Sequence, residues 1–102
     1  MNAIAFIHRN RQRNIFVTEV AAATGLSRRG LEIKFRAAVG KTIREEIQRI
    51  RLDHAKRMLR ETDLPVSKIA ESSGYNSASY LTQVFHKELG VAPNQYRTQV
   101  RI

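Results

Sequence analysis

Two stretches of this chain place side chains that donate and accept hydrogen bonds on one face of a helix. At 100° per residue, a helix opening after Ser27 gathers Leu31, Phe35 and Ala38 in one sector that must face a core. It turns Arg29, Glu32, Ile33 and Arg36 the opposite way. A helix opening after Ser77 turns Leu81, Val84 and Phe85 inward and Ser79, Thr82, Gln83 and His86 outward. Outward sets of this kind can read base edges in a major groove, with Ile33 suited only to a thymine methyl or another apolar contact. On their own Arg28 and Arg29 read as a solvated helix face. Their place after Ser27 in a repeated unit singles them out.

Other chemistries find little support. His8, His54 and His86 are widely separated and lack Cys or closely spaced carboxylate partners, so no metal site is expected. Glu45 and Glu46 point about 100° apart on a helix and do not converge on a substrate. They are expected to cap the helix and to pair with Arg49, four residues after Glu45. Ser72, Ser73 and Ser77 have no neighbouring His and no nucleophile-elbow pattern. The absence of Cys excludes disulfides and thiolate sites. Tyr75, Tyr80, Phe35 and Phe85 are expected in the core. No catalysis and no cofactor are expected.

Charge narrows the partner. Eighteen Lys and Arg oppose nine acidic residues, a net charge of +9, so polyanions are the natural partners, nucleic acid first. Residues 1 to 60 hold 14 of the cations against 5 acids, whereas residues 61 to 102 hold 4 against 4, so the front part is expected to make more of any phosphate contacts. One compact domain fits the 102 residues. The apolar run Ala3 to Ile7 is far too short for a membrane span or a signal segment, and the reading is cytoplasmic.

The elements that position the outward faces come from an internal repeat. Thr18, Val20-Ala21, Gly25, Ser27, Leu31, Phe35 and Gly40 recur as Ser67, Ile69-Ala70, Gly74, Ser77, Leu81, Phe85 and Gly90, with one extra residue in the second turn. Each copy reads as two helices around a tight glycine turn, the helix-turn-helix pattern. Thr18 and Ser67 are expected to cap the first helices and Ser27 and Ser77 the second. Between the copies a helix runs from Thr42 to about Arg60, opened by Thr42 and Glu45 at capping-box spacing and closed before Asp63, Leu64 and Pro65. It is about 28 Å long. One apolar patch, Ile43, Ile47 and Ile50, is offset from a second, Leu52, Ala55 and Leu59, so the helix can dock two modules. Its length approaches the roughly 34 Å between successive major-groove faces, so the two reading helices could enter adjacent grooves. An N-terminal helix over Asn2 to Arg11 carries Ile4, Ile7 and His8, followed by the Arg9, Arg11 and Arg13 cluster, and a last helix opens at Pro93 and holds Tyr96 and Val100. The fold expected is all-α, with seven helices: a front subdomain 1–41, a linker helix 42–61 and a rear subdomain 62–102.

With Ile69-Ala70, Gly74-Tyr75, Ser79-Tyr80, Phe85, Lys87, Gly90, Pro93 and Tyr96-Arg97, the sequence resembles the DNA-binding domain of AraC/XylS-family transcription regulators. Val20-Ala21, Gly25-Leu26-Ser27, Leu31, Phe35, Gly40, Arg51-Leu52 and Ala55 to Leu59 fit the same family, and the likeness covers about residues 5 to 98. The resemblance implies a monomer that binds double-stranded promoter DNA through both modules. It assigns base reading to Arg29, Glu32 and Ile33 in front and to Ala78, Ser79, Thr82 and Gln83 behind. Phosphate contacts fall to Ser27, Arg28 and Arg36, and to Ser77, His86 and Lys87. It further implies RNA polymerase as a partner and an effector bound by an N-terminal domain. The chain, opening at Met1 just before its first helix, is thus expected to be the C-terminal part of a longer regulator, with a free-standing activator as the alternative. Gly25-Leu26-Ser27-Arg28-Arg29 with Leu31-Glu32 looks like sugar-responsive regulators of the xylose-operon type.

Three departures from the family pattern stand out. His86 sits where Lys or Arg is usual, Ala92 replaces the frequent Thr before Pro93, and Thr82 and Gln83 are short neutral readers. All three favour an interface weighted to the front. Two rival readings are a basic helical RNA binder, which would show no preference for duplex DNA, and a protein- or membrane-binding module using Ile33 and the basic face.

Overall fold

The computed structural model describes residues 2–11 and 15–101. Seven helices and no strand form among the described residues, in the order α1 (Ala3–Arg9), α2 (Val17–Thr24), α3 (Arg28–Val39), α4 (Ile43–Glu61), α5 (Val66–Ser72), α6 (Ala78–Leu89) and α7 (Pro93–Val100). The Arg9, Arg11 and Arg13 cluster is described only in part, because Arg13 lies outside these residues.

Two apolar cores, strung along α4, account for an outline of 44 × 22 × 21 Å. Ile43, Ile47 and Ile50 join the front core with Ile7, Val20, Leu31 and Phe35. Ala55 and Leu59 join the rear core with Ile69, Leu81 and Phe85, and Leu52 packs against it half-buried. The two offset apolar patches of α4 thus serve two modules, as their spacing requires. Its first turn is fixed by a capping box: Thr42 Oγ1 accepts from Glu45 N at 3.1 Å, and Glu45 accepts from Thr42 N at 3.0 Å. These bonds hold the Glu45 carboxyl below its ordinary pKa.

The other end of α4 is closed by a device that the sequence reading did not assign. Arg97 on α7 donates from Nε to the Leu59 carbonyl at 3.3 Å and from Nη2 to the Thr62 and Leu64 carbonyls at 3.3 and 2.5 Å. Arg101 adds Thr62 O at 3.0 Å and Asp63 Oδ1 at 2.7 Å. Leu59 O belongs to the last turn of α4, where carbonyls lack intrahelical donors, and Thr62 O and Leu64 O to the segment just beyond; two guanidinium groups reach all three from 33 to 39 residues away.

Four local expectations need correction. Thr18 and Ser67 do not cap α2 and α5, because both helices begin earlier, after Phe16 and Pro65. In α2 the missing cap is replaced from inside, with Glu19 Oε1 accepting from Phe16 N at 3.1 Å. Ala38 is exposed, and Val39 packs on the front core in its place. Arg49 pairs with Glu46 and, at 3.0 Å, with Asp53 rather than with Glu45, whose carboxylate is already engaged at the cap. Finally, Tyr80 is 43% exposed and meets buried Tyr75 edge-on, centroids 5.8 Å apart.

Candidate nucleic-acid interface

Both outward faces are presented by helices with the same build. Ser27 Oγ accepts from Gly30 N and Ser77 Oγ from Tyr80 N, each at 3.1 Å. These N-caps leave the first turn of each helix exposed at the protein surface. At the far ends Gly40 and Gly90 take φ of 80° and 75° and donate to Arg36 O at 2.8 Å and His86 O at 3.1 Å. Only glycine adopts that left-handed turn without strain, so α3 and α6 stop at matching places.

On α3 the inward side is Leu31 and Phe35, at 4% and 6% exposure, and Arg28, Arg29, Glu32, Ile33 and Arg36 all lie on the surface. Ile33 is 61% exposed, a large apolar group held in water on a polar face. Arg28 Nε lies 3.7 Å from Glu32, with both groups largely solvated, so the pair orients the side chains more than it stabilises the helix. Lys34, not singled out from the sequence, adds a further exposed cation to α3.

Behind, Leu81 and Phe85 are fully buried, while Ser79, Gln83, His86 and Lys87 are exposed. Ala78 and Thr82 lie half-buried at the margin of that face, and Thr82 Oγ1 donates to Ala78 O at 2.9 Å. Its proton is therefore used locally, and Thr82 offers a neighbour its methyl and oxygen lone pairs. Exposed Tyr80 enlarges this face beyond the residues expected.

A cleft of about 480 Å³ separates the modules, with Lys41, Gln48 and Arg51 on one side and Tyr80, Gln83 and Lys87 on the other. Gln83 and Lys87 thus belong both to the outward face of α6 and to the wall of this cleft. Gln48 and Lys41 carried no functional signal in sequence because they sit outside both repeat copies, and Arg51 entered only through the family resemblance, with no role attached. Burial pushes the Tyr75 phenol up, against the neighbouring Arg51, and keeps this lining residue neutral.

One buried polar contact ties α4 to the rear module. His54 Nδ1 lies 2.9 Å from Ser73 Oγ, and both side chains are buried. Burial, then the charges of Arg11 and Arg57, lower the His54 pKa from 6.5. The cationic form is disfavoured in the folded state, so this contribution to stability is complete above about pH 6.5 and is lost as pH falls toward the lowered folded value. Melting curves of the chain at pH 7.5 and 5.5 are expected to show a lower Tm at the acid pH, and His54→Gln is expected to reduce the difference. An equal difference in both proteins would remove His54 as its source.

Among the described residues no group of three or more His, Asp or Glu converges as a metal site, and no described helix is long and apolar enough to cross a membrane.

Known proteins share this arrangement. The pattern of the helix-turn-helix domain family matches residues 20–99. A putative AraC-like transcription regulator of Streptomyces antibioticus is 38% identical over 96 residues, covering 94% of this chain and 32% of that protein. The xylose operon regulatory protein of Escherichia coli K12 is 34% identical over 97 residues, covering 95% of this chain and 25% of that protein. This chain therefore spans a third or less of the length of these relatives. Among solved structures, the DNA-binding domain of the global transcriptional factor AdpA, determined in complex with a target DNA, superimposes with a TM-score of 0.90 at 27% identity, covering 97% of this chain and 89% of that one. Two helix-turn-helix units joined through one shared helix, matched over nearly the whole chain, place it in the AraC-type helix-turn-helix family of DNA-binding transcription regulators.

Proposed function

We propose that the chain binds a specific duplex operator as a monomer, with α3 and α6 in adjacent major grooves. The observation that carries this is the pair of equivalent capped helices held at either end of the 19-residue α4, each with a polar face in water. In this reading Arg29, Glu32 and Ile33 contact base edges in front, and Ala78, Ser79, Thr82 and Gln83 do so behind. Arg28 and Arg36, with His86 and Lys87, meet phosphates, and Ser27 and Ser77 orient the first-turn N–H groups that face them. Four cations on α3, Arg28, Arg29, Lys34 and Arg36, against Lys87 on α6 give the front module the larger electrostatic share.

Around this domain the reading places the rest of a transcription regulator acting in the cytoplasm at the nucleoid. An effector-binding domain precedes it, RNA polymerase is a second partner, and a sugar effector is favoured by the likeness to the xylose operon regulatory protein. Catalysis has no part in this function.

Selection from a random duplex library, followed by affinity of the winner across a salt series, tests the proposal. Two sequence elements about 10 base pairs apart, with a salt slope set by several neutralised phosphates, are expected. A single enriched element would confine reading to one module, and equal binding to random duplex and RNA would overturn sequence-specific recognition.

A further inference from the structure

A second groove, also about 480 Å³, carries charge that the operator reading leaves unused. Arg11, just beyond α1, and Arg49, Lys56, Arg57 and Arg60 of α4 line it, against one carboxylate, Asp53. Along α4 the steps 49, 53, 56 and 60 hold one face of the helix. By the same arithmetic that face lies about 110° around the axis from both the Ile43–Ile47–Ile50 and the Ala55–Leu59 sides, so it looks away from both cores. No residue of α3 or α6 lines it.

Part of this charge is already paired, Arg49 with Glu46 and Asp53 and Arg57 with Glu61 at 3.6 Å. Lys56 and Arg60 have no ion-pair partner among the described residues. The positive field reaches the groove floor, where it adds to burial in disfavouring a proton on His54.

We propose that this groove docks an acidic helix of a protein partner while α3 and α6 occupy DNA. Lys56 and Arg60 are one four-residue step apart, about 6 Å, the same rise that separates carboxylates at i and i+4 on a facing helix. Guanidinium groups take carboxylates in two-pronged geometry, and four of the five cations are arginines. Asp53 in the middle of the stripe selects against a continuous row of phosphates. A helix that alternates acidic and neutral positions can leave a neutral residue opposite it. The proposal stands apart from the operator reading, since the groove and the outward faces share no side chain.

The test is fluorescence anisotropy of a short labelled helical peptide bearing Glu pairs four residues apart, titrated with the chain alone and with the chain saturated by duplex. The variant Lys56→Glu/Arg60→Glu is compared with Arg44→Glu/Lys68→Glu, an exposed pair of equal charge change outside the groove. Circular dichroism checks folding, and Lys56→Gln/Arg60→Gln replaces the first pair if it does not fold. The peptide is expected to bind with and without duplex. The groove pair is expected to weaken it by about tenfold and the outside pair by less than about twofold, with duplex affinity changing equally in both. No peptide binding, equal loss in the two pairs, displacement of peptide by duplex, or tighter binding of inorganic polyphosphate with the same dependence on Lys56 and Arg60 would each overturn the proposal.

Discussion

Phe85→Ala is expected to destabilise the rear module by about 3 to 5 kcal/mol, the cost of removing a fully buried aromatic ring and leaving a cavity. The ring lies edge-on against Tyr96 with centroids 5.5 Å apart, so the substitution also removes an aromatic contact. Against the roughly 5 to 15 kcal/mol that typically holds a domain together, this is a large fraction. The two cores share only α4, so the loss should stay local. Calorimetry is expected to split one unfolding transition into two. Hydrogen exchange is expected to lose protection through α5 to α7 while α2 and α3 keep theirs. A single transition with a loss below about 1 kcal/mol would mean that the rear core repacks around the gap.

The second large effect concerns recognition. Arg29→Ala is expected to cost about 1 to 3 kcal/mol of binding to the selected operator and to relax preference at one base pair. Arg36, one helical turn past Glu32 and Ile33 near the end of α3, is assigned to phosphate. Arg36→Ala is therefore expected to weaken selected and random duplexes alike and to reduce the salt slope by about one. Competition titrations of both variants against both duplexes separate the roles. Equal losses on the two duplexes for Arg29→Ala would remove it from base reading.

How much of this was legible depends on the range of the interaction. The repeat, the glycine stops at Gly40 and Gly90, the caps Ser27 and Ser77 and the two patches of α4 are set by local rules, and they appear where spacing puts them. Thr18 and Ser67 misled because a hydroxyl near a helix start reads as a cap, whereas the chain turns two residues sooner, at Phe16 and Pro65. Ala38 misled because so small a side chain loses little by exposure, and Val39 fills the core instead. The Glu45–Arg49 pairing failed through competition, since one carboxylate cannot both cap Thr42 and reach along the helix. Arg97 is the opposite case: its partners at Leu59, Thr62 and Leu64 lie more than 30 residues away, and no local pattern announces them. The inter-module cleft exists only once the two modules are placed, and the groove beside α4 only once α1 packs against that helix.

Because α4 is continuous and capped at both ends, it fixes distance and phase together. Each residue added to it would move the rear module about 1.5 Å and swing it about 100° around the axis, while B-DNA advances about 3.4 Å per base step. Two added helical turns, seven residues, would nearly restore the swing but leave α6 about 10 Å further along, about three base steps from its groove position. If α3 and α6 occupy adjacent grooves as proposed, small changes in helix length cannot be absorbed gradually. Operator spacing is then quantised by the helix, and sequence preference can drift on α3 and α6 while the interval between the two half-elements stays fixed.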